Sequence, residues 1–217
     1  MVSLPLEHVY VEPDAPADGP APAVVVMHGR GADERDLLPV VDRLPDELAA
    51  VSLRAPDPIG QGYRWYEIDA SDGLHESQPH PEEYRRSLDL VRESIDGAVE
   101  GYDLDPDRLG LLGFSMGAML SMGLLLEDPG AYDWIAGLHG YLPASHADRS
   151  PEGVEDKPVF LAAGATDRII PPERVERAAD RFRALGAAVA FSVYDVGHGI
   201  GPAELGDLIG FVRERLD

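Results

Sequence analysis

The stretch Leu109-Gly110-Leu111-Leu112-Gly113-Phe114-Ser115-Met116-Gly117-Ala118-Met119-Leu120-Ser121-Met122-Gly123-Leu124-Leu125-Leu126 decides the fold class. Leu109–Phe114 is a short apolar run that ends in a glycine-flanked turn, the pattern of a buried strand. From Met116 to Leu126 apolar residues continue too far for an ordinary strand, so this part reads as a buried helix. Met116, Met119 and Met122 fill the core of that helix, as flexible thioethers do.

The same alternation extends outward in both directions. Val24–Met27, Ala49–Leu53, Trp134–Leu138, Val159–Ala162 and Ala188–Tyr194 have strand character. Pro81–Tyr102 places Tyr84, Leu88, Val91, Ile95, Val99 and Tyr102 at spacings of three and four, one apolar face of a helix. Glu173–Leu185 and Ala203–Leu216 repeat that pattern. The Pro/Ala stretch from Pro13 to Ala23 reads as a loop between two early strands. Alternating strands and helices predict βαβ units, a mostly parallel sheet covered on both faces, and sites at the carboxyl ends of its strands. A chain of 217 residues with 44% hydrophobic residues fits one globular domain, 1–217.

Composition excludes several functions. There are no cysteines, so a disulfide framework, a thiolate nucleophile and a cysteine zinc site are ruled out. Forty Asp and Glu stand against 18 Lys and Arg, a formal net charge of −22, and Lys157 is the sole lysine. Nucleic acid and anionic membranes need a cationic footprint that this surface lacks. The start of the chain has neither a basic segment nor a long apolar run, so the expectation is a cytoplasmic protein without stable membrane association. The acidic excess predicts a halophilic-type surface, hydrated by carboxylates and screened by salt.

Gly113-Phe114-Ser115-Met116-Gly117 is a G-x-S-x-G pattern set between a strand and a helix. That context identifies Ser115 as a candidate nucleophile on a sharp turn, with the start of the helix beside it. A serine hydroxyl needs a base in hydrogen-bond reach, and the base needs an orienting carboxylate. Among the seven histidines, His8, His28, His75, His80, His139 and His146 lie in early strands, turns or polar loops. His198, in Gly197-His198-Gly199, follows the last strand and is the candidate base. Asp167, in Gly164-Ala165-Thr166-Asp167, ends the preceding strand and is the candidate acid. Asp195, two residues' separation from His198, is a poor orienter. The loop Met27-His28-Gly29-Arg30-Gly31 lies at the same sheet edge, where its backbone N–H groups are placed to complete an oxyanion hole.

These motifs resemble the phospholipase/carboxylesterase family of the α/β-hydrolase fold, over nearly the whole chain. The resemblance rests on His28-Gly29-Arg30-Gly31, Arg54-Ala55-Pro56, Trp65-Tyr66-Glu67-Ile68, GFSMGA, Ala136–Pro143, Gly164–Asp167 and Gly197–Gly199. It implies a single domain without a large cap, and a serine carboxylesterase that acts on small-molecule esters through an acyl-enzyme with no cofactor or metal. It also implies the backbone N–H groups of Arg30 and Met116 as oxyanion donors. Acyl thioesterase and lysophospholipase are the alternatives. A dienelactone-type hydrolase usually carries a cysteine nucleophile, and this chain has none. The rival from another class is a non-catalytic ligand-binding protein. Met116 stands where many relatives carry glutamine, and the polar stretch from Asp57 to His80 departs in length. Trp65 and Tyr66 are candidates to line an acyl pocket or, equally, to anchor loops. Arg30 and Arg64 are candidates to meet an anionic leaving group or to be solvated. A homodimer is compatible with all of this.

Overall fold

The computed structural model describes residues 2–15, 19–71, 73 and 76–216. The expected histidine at 75 and part of the Pro/Ala loop lie outside these residues. Seven strands form the central sheet, numbered here in chain order. They run spatially as β1 (His8–Val11), β3 (Ala49–Leu53), β2 (Ala21–Met27), β8 (Leu104–Phe114), β9 (Trp134–Leu138), β10 (Pro158–Gly164) and β11 (Ala188–Tyr194). Only β1 is antiparallel to its neighbour; the remaining pairings are parallel.

Side chains alternate across each strand, so both faces must be covered. Val25 and Met27 face one core with Leu88 and Val91 of α2 (Pro81–Tyr102) and Val175 and Phe182 of α5 (Pro172–Ala184). Val24 and Val26 face the other with Val40 and Val41 of α1 (Leu38–Val41) and Leu208 and Val212 of α6 (Pro202–Leu216). The helix α3 (Met116–Glu127) is buried without interruption from Met116 to Leu126, which is why its sequence is apolar all round. α2 begins at Pro81, carries Glu82 and Glu83 in its first turn, and stops at Asp103 in a left-handed conformation with φ 56°. A short helical turn, α4 (Ala144–Ala147), lies between β9 and β10.

Three strands run longer than the sequence pattern: β10 spans Pro158–Gly164 against Val159–Ala162, and β2 and β8 begin earlier. β2 starts at Ala21 and β8 at Leu104, and their register shifts between Ala21 and Ala23. The polar segment Asp105-Pro106-Asp107-Arg108 hides that strand extension from a hydrophobicity pattern. The stretch from Asp57 to His80 contains two short antiparallel pairs, β4 (Asp57–Ile59) with β5 (Gly62–Arg64) and β6 (Ile68–Asp69) with β7 (Gln78–Pro79). Among the described residues no helix is long and apolar enough to cross a membrane.

Candidate active site

Ser115 sits at the joint between β8 and α3 with φ 54° and ψ −111°. A non-glycine residue there carries backbone strain of about 1–3 kcal/mol. Two hydrogen bonds hold it: the Ser115 N–H donates to the Leu138 carbonyl at 2.8 Å, and the Met119 N–H to the Ser115 carbonyl at 3.2 Å. The flanking glycines have a steric cause. A Cβ on Gly117 would lie 2.0 Å from the Met27 carbonyl oxygen, and one on Gly113 would lie 2.2 Å from the Gly117 carbonyl carbon. The G-x-S-x-G spacing is therefore what lets α3 pack against β2 and β8.

Two loops bring the partners of Ser115. His198 follows β11 and Asp167 follows β10. His198 Nε2 stands 3.0 Å from Ser115 Oγ, and His198 Nδ1 stands 2.7 Å from Asp167 Oδ2. The second carboxylate oxygen of Asp167 accepts the N–H groups of Ile169 at 2.8 Å and Ile170 at 3.0 Å. Burial pushes the Asp167 carboxyl up, but the His198 hydrogen bond and these two N–H groups outweigh it and hold it below its ordinary value. Asp195 is exposed and does not join the chain of bonds.

The loop after β2 borders the nucleophile: a Cβ on Gly29 would lie 3.5 Å from that of Ser115. His28 braces this loop from inside. Its Nδ1–H donates to the Gly29 carbonyl at 2.6 Å and its Nε2 accepts the Ala55 N–H at 3.1 Å, which requires the neutral imidazole. Burial lowers the His28 pKa and keeps it so, against the opposing pull of the Gly29 carbonyl. The Gly31 N–H donates to the Tyr63 carbonyl at 2.7 Å and the Tyr63 N–H returns to the Ala32 carbonyl at 2.8 Å, lacing the loop to β5.

Trp65 and Tyr66 lie in the core beneath the loop after β2. Both are 0% exposed. The Trp65 indole N–H donates to the His28 carbonyl at 2.8 Å, and the Tyr66 hydroxyl donates to the Met116 carbonyl at 3.0 Å. Their polar tips are satisfied by backbone while their rings are buried in the core. Arg30 and Arg64 both face Glu67, Arg30 at 3.7 Å and Arg64 as a closer ion pair.

Two further residues, His139 and Glu204, join the site without any motif that marks them in the sequence. His139 directly follows β9 with φ 53°, and Glu204 lies in the first turn of α6. His139 Nδ1 is 3.2 Å from Asp167 Oδ2 and its Nε2 is 3.2 Å from Glu204 Oε2. His139, Asp167 and His198 bring ligand-type atoms within 4.8 Å of one another, as a metal site would. Each of those atoms already faces a hydrogen-bonding partner, so the cluster reads as a hydrogen-bond chain. In sequence, Glu204 is indistinguishable from an ordinary acidic residue at a helix start.

The comparisons with known proteins agree with this architecture. A family model described as Phospholipase/Carboxylesterase matches residues 8–216. Acyl-protein thioesterase 1 of Gibberella zeae is 31% identical over 216 residues, covering 89% of this chain and 90% of that protein. A longer relative from Nocardia uniformis subsp. tsuyamanensis is 28% identical over 167 residues, 75% of this chain and 45% of its own length. Among solved structures, the Bacillus cereus carboxylesterase superposes with a TM-score of 0.84 at 22% identity, covering 97% of this chain and 94% of its own. Zea mays acyl-protein thioesterase 2 gives 0.79 at 22% identity, covering 97% and 99%. The chain belongs to the phospholipase/carboxylesterase family of α/β-hydrolases and is a serine hydrolase.

Proposed function

We propose that the protein is a carboxylesterase that hydrolyses small acyl esters with Ser115 as nucleophile, His198 as base and Asp167 as orienting acid. The observation that carries this reading is the continuous path from Ser115 Oγ to His198 at 3.0 Å and from His198 to Asp167 at 2.7 Å. In the resting state His198 carries its proton on Nδ1, toward Asp167, and its bare Nε2 accepts the Ser115 hydroxyl. As Ser115 attacks the ester carbonyl, Nε2 takes the hydroxyl proton, and Asp167 stabilises the imidazolium. The proton passes to the departing alkoxide. Water then attacks the acyl-enzyme with His198 as base, releasing the acid and restoring Ser115.

The developing oxyanion is received by the backbone N–H groups of Arg30 and Met116, the second at the start of α3 where the helix dipole adds to it. Losing one such donor typically costs about 3–4 kcal/mol of barrier. The chemistry asks for no metal or organic cofactor. The net charge of −22 favours a soluble small-molecule ester in an aqueous, cytoplasmic setting over an anionic bilayer or nucleic acid.

The 31% identity to an acyl-protein thioesterase favours a second reading, hydrolysis of acyl thioesters by the same groups. Fluorophosphonate labelling of wild type and of Ser115→Ala tests the nucleophile. A panel of p-nitrophenyl esters and acyl thioesters of graded chain length tests the substrate class. Labelling confined to the wild type, with ester turnover above thioester turnover, is the expected result. A folded wild type that takes no label would remove Ser115 as the nucleophile.

A further inference from the structure

Asp167 Oδ2 receives two imidazoles, not one. His198 approaches at 2.7 Å and His139 at 3.2 Å. The other nitrogen of His139 meets Glu204 Oε2 at 3.2 Å, and the side chains of His139, Asp167 and Glu204 are all 0% exposed. A neutral imidazole has one N–H and one lone pair. With a carboxylate oxygen at each end, the neutral ring would direct its lone pair at a negative oxygen in a site without water access. Two buried carboxylates with no counter-charge would also be costly. An imidazolium removes both problems, because it donates at each end and leaves the three groups with one net negative charge.

We propose that His139 is a buried imidazolium, held in that form by Glu204, and that it positions Asp167. The inference rests on the reading of Asp167 and His198 as acid and base. Glu204 Oε2 also accepts the Gly201 N–H at 3.3 Å, while Glu204 Oε1 is buried with no partner among the described residues. Backbone geometry fixes the ring: His139 holds φ 53°, and its N–H donates to the Ala162 carbonyl at 2.8 Å. The groups around it are Asp167 after β10, His198 after β11, Glu204 on α6 and the uncharged Phe114 ring on β8. Tyr194 on β11 lies further out, bonded through its hydroxyl to Asp207 at 2.8 Å. Burial alone pushes the His139 pKa down; the hydrogen bond and charge of Glu204, then those of Asp167, reverse this and raise it.

The consequence for catalysis is electrostatic. The His139 and His198 ring centroids are 5.7 Å apart. The charge on His139 therefore lies beside the base as well as the acid. The second donor on Oδ2 also makes Asp167 a weaker partner for a protonated His198. His139 and Glu204 are positioning residues: they touch Asp167 and not the substrate.

Two measurements test this. In 15N-histidine NMR of the wild-type protein at neutral pH, both ring nitrogens of His139 should carry protons, and one in Glu204→Gln. In the pH dependence of kcat/KM for p-nitrophenyl acetate, E204Q should move the acid limb by about half a pH unit or more, by loss of the positive charge on His139. A purely structural role would lower the rate at every pH and leave the limb in place. A neutral His139 in the wild type, or an unmoved limb in folded E204Q, overturns the proposal. The wild-type spectrum decides even if the variant does not fold. Failure of Ser115 to label would instead overturn the triad reading, and the His139 charge would still be read independently.

Discussion

A Cβ atom on Gly62 would stand 2.0 Å from the carbonyl oxygen of Gly31. The β5 strand therefore meets the loop after β2 backbone to backbone, and the Gly31–Tyr63 and Tyr63–Ala32 bonds depend on that approach. Gly62→Ala must force the loop and β5 apart and, on the proposed mechanism, disturb the Arg30 N–H. The expected result is a fall in kcat of about 100-fold, the scale of one lost oxyanion donor, with the global fold retained by circular dichroism. An alanine variant with wild-type kcat would show that the loop tolerates displacement.

In the proposed mechanism Asp167 keeps the His198 proton on Nδ1, and Asp167→Asn removes that acceptor. In comparable triads the wrong tautomer costs about 10⁴ in kcat. The same order is expected here, with KM little changed, because the carboxylate touches no substrate. Steady-state kinetics check this, and a loss under tenfold would remove Asp167 from the mechanism.

Glu34 is buried and receives Arg54 through two bonds, Nε to Oε2 at 2.6 Å and an Nη to Oε1 at 2.7 Å. Arg54 leads directly to Ala55, whose N–H supports His28. Arg54→Ala leaves a buried carboxylate without its main partner and should cost about 3 kcal/mol or more of stability in urea unfolding. The Arg54 bond holds the Glu34 pKa below its ordinary value, so this stabilisation is present above about pH 4.5 and fades as pH falls through the lowered value.

His28 gives stability a second pH dependence. Its folded pKa is lowered by burial, so the unfolded chain binds the proton more readily. Stability should therefore drop as pH falls below about 6.5, the ordinary histidine range. His139 has the opposite sign: its raised pKa contributes stability below about pH 6.5 that is lost as pH rises through the folded value. Urea midpoints at pH 7 and pH 5 should show a smaller acid-side loss in His28→Gln than in wild type. Equal losses in both would rule out His28 as the titrating group.

The charge of −22 predicts salt-dependent folding. Carboxylate repulsion is screened when the Debye length shrinks to about 3 Å at 1 M salt. The thermal midpoint should rise between about 50 mM and 2 M KCl, and an unchanged midpoint would dispose of the high-salt adaptation.

Much of this was legible in the chain because it is local. The strand character of Leu109–Phe114, the apolar helix after it and the 3–4 spacing of Tyr84 to Tyr102 each follow from one periodicity. Ser115, Asp167 and His198 were placed by a second local fact, that each follows the end of a strand. β1 is a short half-buried strand, and only the surroundings of His8 hinted at it. The β4–β5 and β6–β7 pairs are too short and polar to carry a period at all.

By itself, then, the sequence determined the alternation of strands and helices, the strained serine turn and the chain order of the candidate groups. Those depend on which neighbours along the chain are apolar, small or glycine. Only the tertiary structure decided that Trp65 and Tyr66 lie under the site, that Arg30 and Arg64 turn to Glu67, and that His139 and Glu204 close on Asp167. The physical reason is distance along the chain. His139 and Glu204 are 65 residues apart. They meet because β9, β10 and β11 lie side by side and α6 packs back across them, an arrangement of non-local contacts that no periodicity encodes.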